Sequence, residues 1–288
     1  MREPDSSPVR GAREVVYAYG FVDGRRAPPD PDSASALGVS VRQFGAVGAV
    51  MRMVRLDDFR RPGSKTSLGD PSWAAPRAWE HEAVLESVMR WSPVFPLGFA
   101  TLFAGPTGVA RFIDRHRPTI EGFLRHVDGK EEWGVKVCAR LDRLRRLEVP
   151  AIANWPGWRP LEPEDPCPPP PQSLGVSVEL ARLRARCLTH ELIEDLWPVG
   201  AELRRLSGSA ADPAATVETI GSWALLINCA RIRELKRRIG AGAARAAEHG
   251  ISVQLSGPWP PFSFRPVLGP AYPDAVSTRN RFFVPEDC

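Results

Sequence analysis

The stretch ISVQLSGPWPPFSF, residues 251–264, combines a strand pattern with an aromatic corner built from prolines. Its first six residues alternate between apolar and polar side chains, which predicts a half-buried β-strand. Trp259 then stands between Pro258 and Pro260, and Phe262 follows Pro261. Because proline fixes φ and removes a backbone donor, we expect this corner to be rigid.

Further strand patterns precede this corner along the chain. EEWGVKVCARL, residues 131–141, alternates, with Trp133, Val135 and Val137 on one face. EVVYAYGFV, residues 14–22, is rich in the β-branched and aromatic residues that favour strands. Three more strand segments are predicted: one or two strands within residues 44–59, a buried strand at 94–105 with a bend at 96–98, and a strand at 222–232.

Four helices are predicted between these strands. They span residues 72–91, 106–126, 176–206 and 234–249. The first helix carries Trp79, Val84, Val88 and Trp91 on one stripe, which predicts that this stripe faces the core. His81, in the same helix, is interpreted as a packed, hydrogen-bonded histidine.

The order of these elements predicts an α+β fold with two domains. In the second half of the chain, whole helices separate the strands, which favours a sheet with helices packed on one face. A ferredoxin-like, split βαβ arrangement is the nearest common plan. The predicted boundaries are a disordered lead-in at 1–13, an N-terminal α+β domain at 14–128, a C-terminal domain at 129–265 with a proline-rich insertion at about 150–172, and an irregular tail at 266–288.

The composition is that of a globular protein with an apolar core. The 288 residues are 43% hydrophobic and 25% charged, and the formal net charge is +4. Acidic residues are interleaved with the arginines, which favours a solvated surface over a nucleic-acid interface. The first 13 residues lack an apolar segment, and the longest apolar run, WALLINCA from Trp223, is too short to span a bilayer. We therefore expect a cytoplasmic protein with reduced cysteines.

No sequence motif predicts catalysis, cofactor binding or a metal site. Phosphate-binding loops of the GxxxxGK[ST] and GxGxxG types are missing, and so is the GxSxG nucleophile elbow. His190 and Glu194 share a helical face, but a pair at that spacing is typical of a surface contact. Cys138, Cys187 and Cys229 are interpreted as buried thiols. The nine tryptophans suit either core packing or a contact surface for another protein.

Four sequence blocks together resemble the GvpL/GvpF family of gas vesicle proteins. The blocks are VVYAYGFV, HEAVLESVM followed by VFPLGFATLF, GKEEWGVKV, and LSGPWPPFSF. Ala100 departs from the family's pattern, which usually has glycine there, and Phe262 stands where tyrosine is common. The candidate interaction residues within these blocks are Tyr19, Pro96, Phe99, Trp133, Gly134, Gly257, Pro258, Trp259, Pro260, Pro261 and Phe262.

The resemblance implies a structural or accessory role in gas vesicles rather than catalysis. It implies two α+β domains, the second a modified ferredoxin-like domain, and no cofactor. The implied partners are the gas vesicle shell protein and other gas vesicle accessory proteins, with no nucleic acid and no membrane. Two alternatives stay open, namely a basic nucleic-acid-binding protein and an enzyme on a ferredoxin-like scaffold. The sequence does not set the oligomeric state.

Two interpretations of the proline-rich corner also stay open. In one, Trp259 and Phe262 pack against the first domain or the sheet and so close the second domain. In the other, the corner presents a docking face to shell or accessory proteins. Full burial of Trp259 would exclude the docking interpretation, because a docking residue must be accessible before the partner binds.

Overall fold

The computed structural model describes residues 14–26, 38–59, 70–144, 178–200, 202–207 and 217–268. The predicted lead-in at 1–13, the proline-rich insertion at 150–172 and most of the predicted tail lie outside this part of the chain. The chain divides into two compact units, of which the second spans Lys130–Trp259 and the first combines Met1–Gly129 with Pro260–Cys288. The predicted C-terminal domain at 129–265 includes 260–265, whereas this segment belongs to the first unit, where Phe262 makes the contacts described below.

The first unit is an antiparallel sheet with a helix on each face. Its strands are β1 (Glu14–Asp23), β2 (Ser40–Phe44), β3 (Val47–Arg55), β4 (Val94–Pro96) and β5 (Leu102–Phe103). They lie in the order β2-β3-β1-β4, and β5 also pairs with β1. The helices are α1 (Pro71–Met89) and α2 (Pro106–Val127), and a short 3-10 helix, Leu56–Phe59, follows β3.

Strand β1 is buried on both faces, because α1 covers one face of the sheet and α2 covers the other. Tyr17 and Tyr19 pack with Val84 and Leu85 of α1 in one apolar cluster. On the opposite face, the ring of Phe21 lies 6.0 Å from that of Phe112 on α2. Burial on both faces accounts for the continuous apolar composition of this strand, which lacks simple alternation.

The second unit is a four-stranded antiparallel sheet whose core lies against two helices. In chain order it contains β6 (Lys130–Arg140), the helical turn α3 (Leu141–Leu144), α4 (Val178–Leu196), β7 (Glu202–Leu206), β8 (Val217–Asn228), a 3-10 turn (Cys229–Arg231), α5 (Ile232–Ala247) and β9 (Ile251–Trp259). The strand order is β7-β8-β6-β9. Trp133, Val135 and Val137 of β6 pack in the core with Leu196 and Leu235 from the two long helices. The predicted face of this strand is therefore confirmed.

The predicted α+β class is confirmed as a mixture of helices and antiparallel strands. The predicted helix at 176–206 was too long, since α4 ends at Leu196 and residues 202–206 form β7. The helix ends here because Pro198 cannot continue it. The chain then turns, and the amides of Val199 and Gly200 donate to the Leu196 carbonyl. Strand β2 was not predicted.

Three smaller expectations were also wrong. The strand predicted at 94–105 is two short strands, separated by a turn in which Ala100 has a φ of 60°. The strand predicted at 222–232 begins earlier and ends at Asn228. In α1 the buried residues are His81, Val84, Leu85 and Val88, whereas Trp79 is 69% exposed because it lies on the opposite side of the helix.

Candidate interaction site

The candidate residues of the second unit converge where β6 and β9 run side by side. Gly134 pairs with Ser256, and Glu132 pairs with Trp259, with an irregularity in register between the two pairs. Trp133 and Trp259 thus lie on adjacent strands although they are 126 positions apart in the chain. We call the group formed by Gly134, Ser256, Pro258 and Trp259 the Trp259 surface.

The indole of Trp259 is held across Gly134. Its Nε1 donates a hydrogen bond of 3.1 Å to Ser256 Oγ. A Cβ added to Gly134 would lie 2.8 Å from Ser256 Oγ and 3.7 Å from Trp259 Nε1. Glycine at position 134 therefore makes room for this hydrogen-bonded pair, and the tryptophan covers backbone that a glycine leaves bare.

Trp259 is 37% exposed, so the condition that would have excluded docking is not met. The neighbouring Pro258 is also exposed and follows a cis peptide bond from Gly257. Gly257 has a φ of 131°, and a Cβ there would lie 3.2 Å from ring atoms of Trp133. The backbone before the exposed tryptophan therefore depends on a positive φ that glycine adopts without strain.

Trp133 is the buried counterpart of Trp259. It packs in the core of the second unit, and its Nε1 donates a hydrogen bond of 3.0 Å to Glu131 Oε2. The ammonium of Lys236, on α5, lies 4.9 Å from the centre of its ring. Trp133 therefore packs the sheet against α5, whereas Trp259 exposes its ring to solvent.

The candidate residues of the first unit surround His81. The His81 ring stacks on that of Tyr19 with centroids 5.3 Å apart, and on that of Phe262 at 6.5 Å. The ring of Phe99 meets it edge-on at 6.2 Å. The family blocks marked Tyr19, Phe99 and Phe262, but the sequence did not show that His81 lies between their rings. These four residues come from four separate segments, and no sequence spacing connects them.

A buried chain of hydrogen bonds holds His81. The amide of Ala100 donates to Tyr17 Oη at 3.2 Å, and Tyr17 Oη lies 2.9 Å from His81 Nδ1. His81 Nε2 lies 3.1 Å from the carbonyl oxygen of Leu97. A carbonyl only accepts, so Nε2 carries the proton, and Nδ1 accepts from the tyrosine. The interpretation of His81 as a packed, hydrogen-bonded residue is confirmed.

Burial keeps His81 and its tyrosine partner uncharged. Burial, with a contribution from nearby Arg265, lowers the pKa of His81 to about 4, against the effect of the Leu97 hydrogen bond. Burial also raises the pKa of Tyr17 above its ordinary value. Neither group exchanges a proton near neutral pH, which is the behaviour of a structural network rather than of an acid–base pair.

The segment after Trp259 is fastened to the first unit by Phe262 and Arg265. Phe262 packs against the apolar cluster that contains Tyr19 and Phe99. Arg265 Nη1 donates a hydrogen bond of 2.8 Å to the Pro96 carbonyl, and its guanidinium lies 5.9 Å from the Phe262 ring. Trp259 and Phe262 thus belong to different compact units, and no sequence signal had singled out Arg265.

No group of three or more His, Cys, Asp or Glu side chains among the described residues is arranged to hold a metal ion. No helix among them is long and apolar enough to cross a membrane. Cys138 is buried as predicted, whereas Cys187 and Cys229 are exposed. Partial desolvation of the Cys229 thiol and the nearby Glu131 carboxylate raise the pKa of this thiol, which disfavours the reactive thiolate.

Comparison with known proteins identifies the family. The family model described as Gas vesicle synthesis protein GvpL/GvpF matches residues 15–266, which include all four blocks that carry the resemblance. The chain belongs to the GvpL/GvpF family. The expected membership is thereby confirmed, and the family is one of gas vesicle proteins.

Relatives of this GvpL/GvpF chain agree with the assignment. It is 27% identical over 252 residues to Gas vesicle protein L of Streptomyces sp. (strain CB03234), covering 81% of this chain and 86% of that protein. Its fold is similar to the crystal structure of GvpF from Anabaena sp. PCC7120, with a TM-score of 0.61, 14% identity, and coverage of 88% and 97% of the two chains. GvpF from Microcystis aeruginosa gives a TM-score of 0.57 at 14% identity, with coverage of 88% and 99%. At this identity the two crystal structures show a shared fold.

Proposed function

We propose that this chain is an accessory or minor structural protein that acts in the cytoplasm during gas vesicle assembly. Its role is to contact the gas vesicle shell protein and other accessory proteins, without catalysing a reaction. Membership of a family described as gas vesicle synthesis proteins supports the process. The exposed, fixed ring of Trp259 is the single observation that carries the proposed mode of action.

The Trp259 surface has the features of a protein contact site. Tryptophan is enriched among the residues that dominate binding energy at interfaces. A side chain held in one conformation before binding loses less entropy when a partner arrives. Three features hold the Trp259 ring in place before binding. They are its hydrogen bond to Ser256, the close backbone of Gly134 and the prolines on either side of Trp259.

We further propose that the second unit is a modified ferredoxin-like domain and that its sheet edge takes part in docking. The order of elements, strand-helix-strand-strand-helix-strand with sheet order β7-β8-β6-β9, supports this assignment. β9 is an outermost strand of that sheet and ends at Trp259. A partner strand added along β9 would therefore lie next to the exposed ring, which combines backbone pairing with a side-chain anchor.

Capture of the shell protein tests this proposal. The tagged full chain is expressed together with the gas vesicle shell protein, and co-purified shell protein is quantified. The wild type is expected to capture it, and Trp259→Ala is expected to reduce capture about tenfold or more. Trp79→Ala is the matched control, since this tryptophan is also exposed but lies on α1 in the first unit.

The outcomes distinguish a failure of the proposed Trp259 surface from a failure of the proposed contact mechanism. Equal loss in Trp259→Ala and Trp79→Ala would contradict a specific Trp259 surface. Absence of any captured gas vesicle protein with folded wild type would contradict the contact mechanism altogether.

A further inference from the structure

The outer side of α4 and α5 exposes large apolar side chains. Leu183 is 55% exposed, and Trp197, just after the end of α4, is 69% exposed. A depression of about 540 Å³ lies beside Trp197, and it is lined by His190, Ile193, Glu194, Trp197 and Pro198. Exposed apolar side chains beside a depression make this side of the helices a candidate contact surface. We call the outer side of these two helices the helical face.

Opposite charges occupy two regions of the helical face. The end of α4 carries Glu191 and Glu194, and its last turn has no basic residue. α5 begins with Arg231, Arg233 and Arg237, all exposed. The carboxylates at the end of α4 lie where the dipole of that helix disfavours them, whereas the first turn of α5 also carries Glu234, which pairs with Arg237 and Arg238. A complementary charge from outside would offset this cost.

Contacts within the chain satisfy only part of this charge. Asp195 pairs with Arg245 at 2.8 Å, and its carbonyl accepts from Arg238. Glu194 meets His190 at 3.1 Å. Arg233 has no ion pair within the described part of the chain, which leaves a cation at the start of α5 without a carboxylate beside it.

Gly240 lies in the middle of α5, where no contact within the described part of the chain requires glycine. A Cβ added at this exposed position would meet nothing within 4 Å, whereas one at Gly242 would touch Leu192 at 3.0 Å. Glycine inside a helix is less stable than alanine by about 1 kcal/mol. The packing of α4 on α5 therefore accounts for Gly242, whereas position 240 faces open space on the helical face.

We propose that the helical face binds a second copy of this chain around a two-fold axis. A two-fold contact presents the same surface from both partners, so the surface must complement itself. This face does so, because it holds both the acidic end of α4 and the basic start of α5. In the dimer, Glu194 of each copy lies opposite Arg233 of the other, and the exposed apolar side chains of α4 fill the space above Gly240.

The area of the helical face limits the affinity of this dimer. At 1.5 Å per residue, the 19 residues of α4 span about 28 Å, and two helices side by side are about 20 Å wide. The contact is then about 560 Å² per copy, below the roughly 800 Å² of a standard interface. We therefore expect a dissociation constant in the micromolar range.

Charge exchange between copies tests the pairing. Sedimentation velocity of the full chain, from low to high micromolar concentration, is expected to show a monomer–dimer equilibrium. Glu194→Arg and Arg233→Glu should each weaken dimerisation about tenfold or more, and an equimolar mixture should restore a mixed dimer. Asp114→Arg is the matched control, because Asp114 is 68% exposed and Glu194 is 67% exposed, and each contacts a basic side chain on its own helix, Arg117 and His190 respectively.

A second variant tests the open space at position 240 without altering charge. Gly240→Gln fills the space and supports the helix, so it should abolish the dimer while leaving the thermal midpoint of the protein unchanged or higher. Gly122→Gln on α2 is its control, since a Cβ there meets only the far end of an arginine at 4.0 Å.

Three results would overturn the proposal. They are a wild type that stays monomeric throughout the concentration range, a dimer that survives both charge reversals, and a mixture of the two reversed variants that fails to associate. The measurement uses the protein alone, so its outcome is independent of whether the Trp259 surface binds a gas vesicle protein.

Discussion

At the residue scale, Gly134 and Trp259 lie together in the sheet although they are 125 positions apart in the chain. Gly134 follows Trp133 in one block of the family pattern, and Trp259 is the centre of another. Their strands pair, and the indole nitrogen of Trp259 lies 3.7 Å from where a Cβ of residue 134 would stand. The two blocks thus encode one local arrangement, in which a side chain on β9 occupies space that β6 leaves open.

Substituting Gly134 by alanine tests this arrangement. The added Cβ would meet Ser256 Oγ at 2.8 Å, so Gly134→Ala should lower the free energy of unfolding by about 1–3 kcal/mol in urea titrations. In a Ser256→Ala background the close atom is gone, and the cost of Gly134→Ala should shrink. Equal costs in both backgrounds would show that the Ser256 hydroxyl is not what excludes a side chain at 134.

The two tyrosines of β1 offer a matched pair of substitutions. Tyr17→Phe removes the hydroxyl that joins Ala100 to His81, leaving two buried groups without their partner, and should cost about 1–3 kcal/mol of stability. The buried Tyr19 hydroxyl has no hydrogen-bond partner among the described residues, so Tyr19→Phe should be neutral or slightly stabilising. Thermal or urea unfolding of both variants measures the difference, and a larger loss from Tyr19→Phe would contradict the network.

At the scale of elements, the start of α1 depends on one side chain. Asp70 is its N-cap, and the carboxylate accepts a hydrogen bond of 3.1 Å from the Ser72 amide. Asp70→Ala should therefore destabilise the protein by about 1 kcal/mol, whereas Asp70→Asn, which keeps the accepting oxygen, should cost only a few tenths. Urea unfolding of the two variants checks this, and equal losses would indicate that charge rather than capping matters here.

Elements with long regular patterns were predicted well, and short or irregular ones were not. β1, β6 and α2 were predicted because residue composition, alternation or helical periodicity extends over their whole length. β7 was read as helix because ELRRL suits a helix as well as a strand, and only its pairing with β8 decides between them. The packing side of α1 was misjudged because Trp79 was counted as buried, whereas it lies on the side of the helix opposite His81, Val84 and Val88.

The sequence marked candidate residues but did not show how they are arranged in space. The sequence marked Trp133, Gly134 and Trp259 through their family blocks, and the corner's rigidity followed from its prolines. Ser256 and Arg265 were missed, because a serine in a strand and an arginine after a loop carry no signal until their partners are known.

At the scale of the whole molecule, the chain returns to its first unit after completing the second. Phe262 packs around His81 with residues from β1 and α1 and from the segment after β4, so the stability of the first unit depends on residues from both ends of the described chain. We therefore expect a truncation after Trp259 to weaken the packing of Tyr19, Phe99 and His81.

The stability of the folded protein should fall in acid because of His81. Its pKa is about 4 in the folded protein against an ordinary 6.5, so the neutral form favours folding. This contribution is complete above pH 6.5 and is lost as the pH falls towards 4, amounting to about 3 kcal/mol. The free energy of unfolding of the wild type and of His81→Asn, measured from pH 7 to pH 4, should differ in slope. Parallel curves would show that His81 is as easily protonated when folded as when unfolded.

The most direct measurement of the central claim is the number of gas vesicles formed in a host that lacks its own copy of this protein. Cells supplied with the wild type or with Trp79→Ala should form vesicles, as counted by electron microscopy, and cells supplied with folded Trp259→Ala should form few or none. Normal vesicle numbers with Trp259→Ala would contradict the claim that this protein acts in assembly through the Trp259 surface.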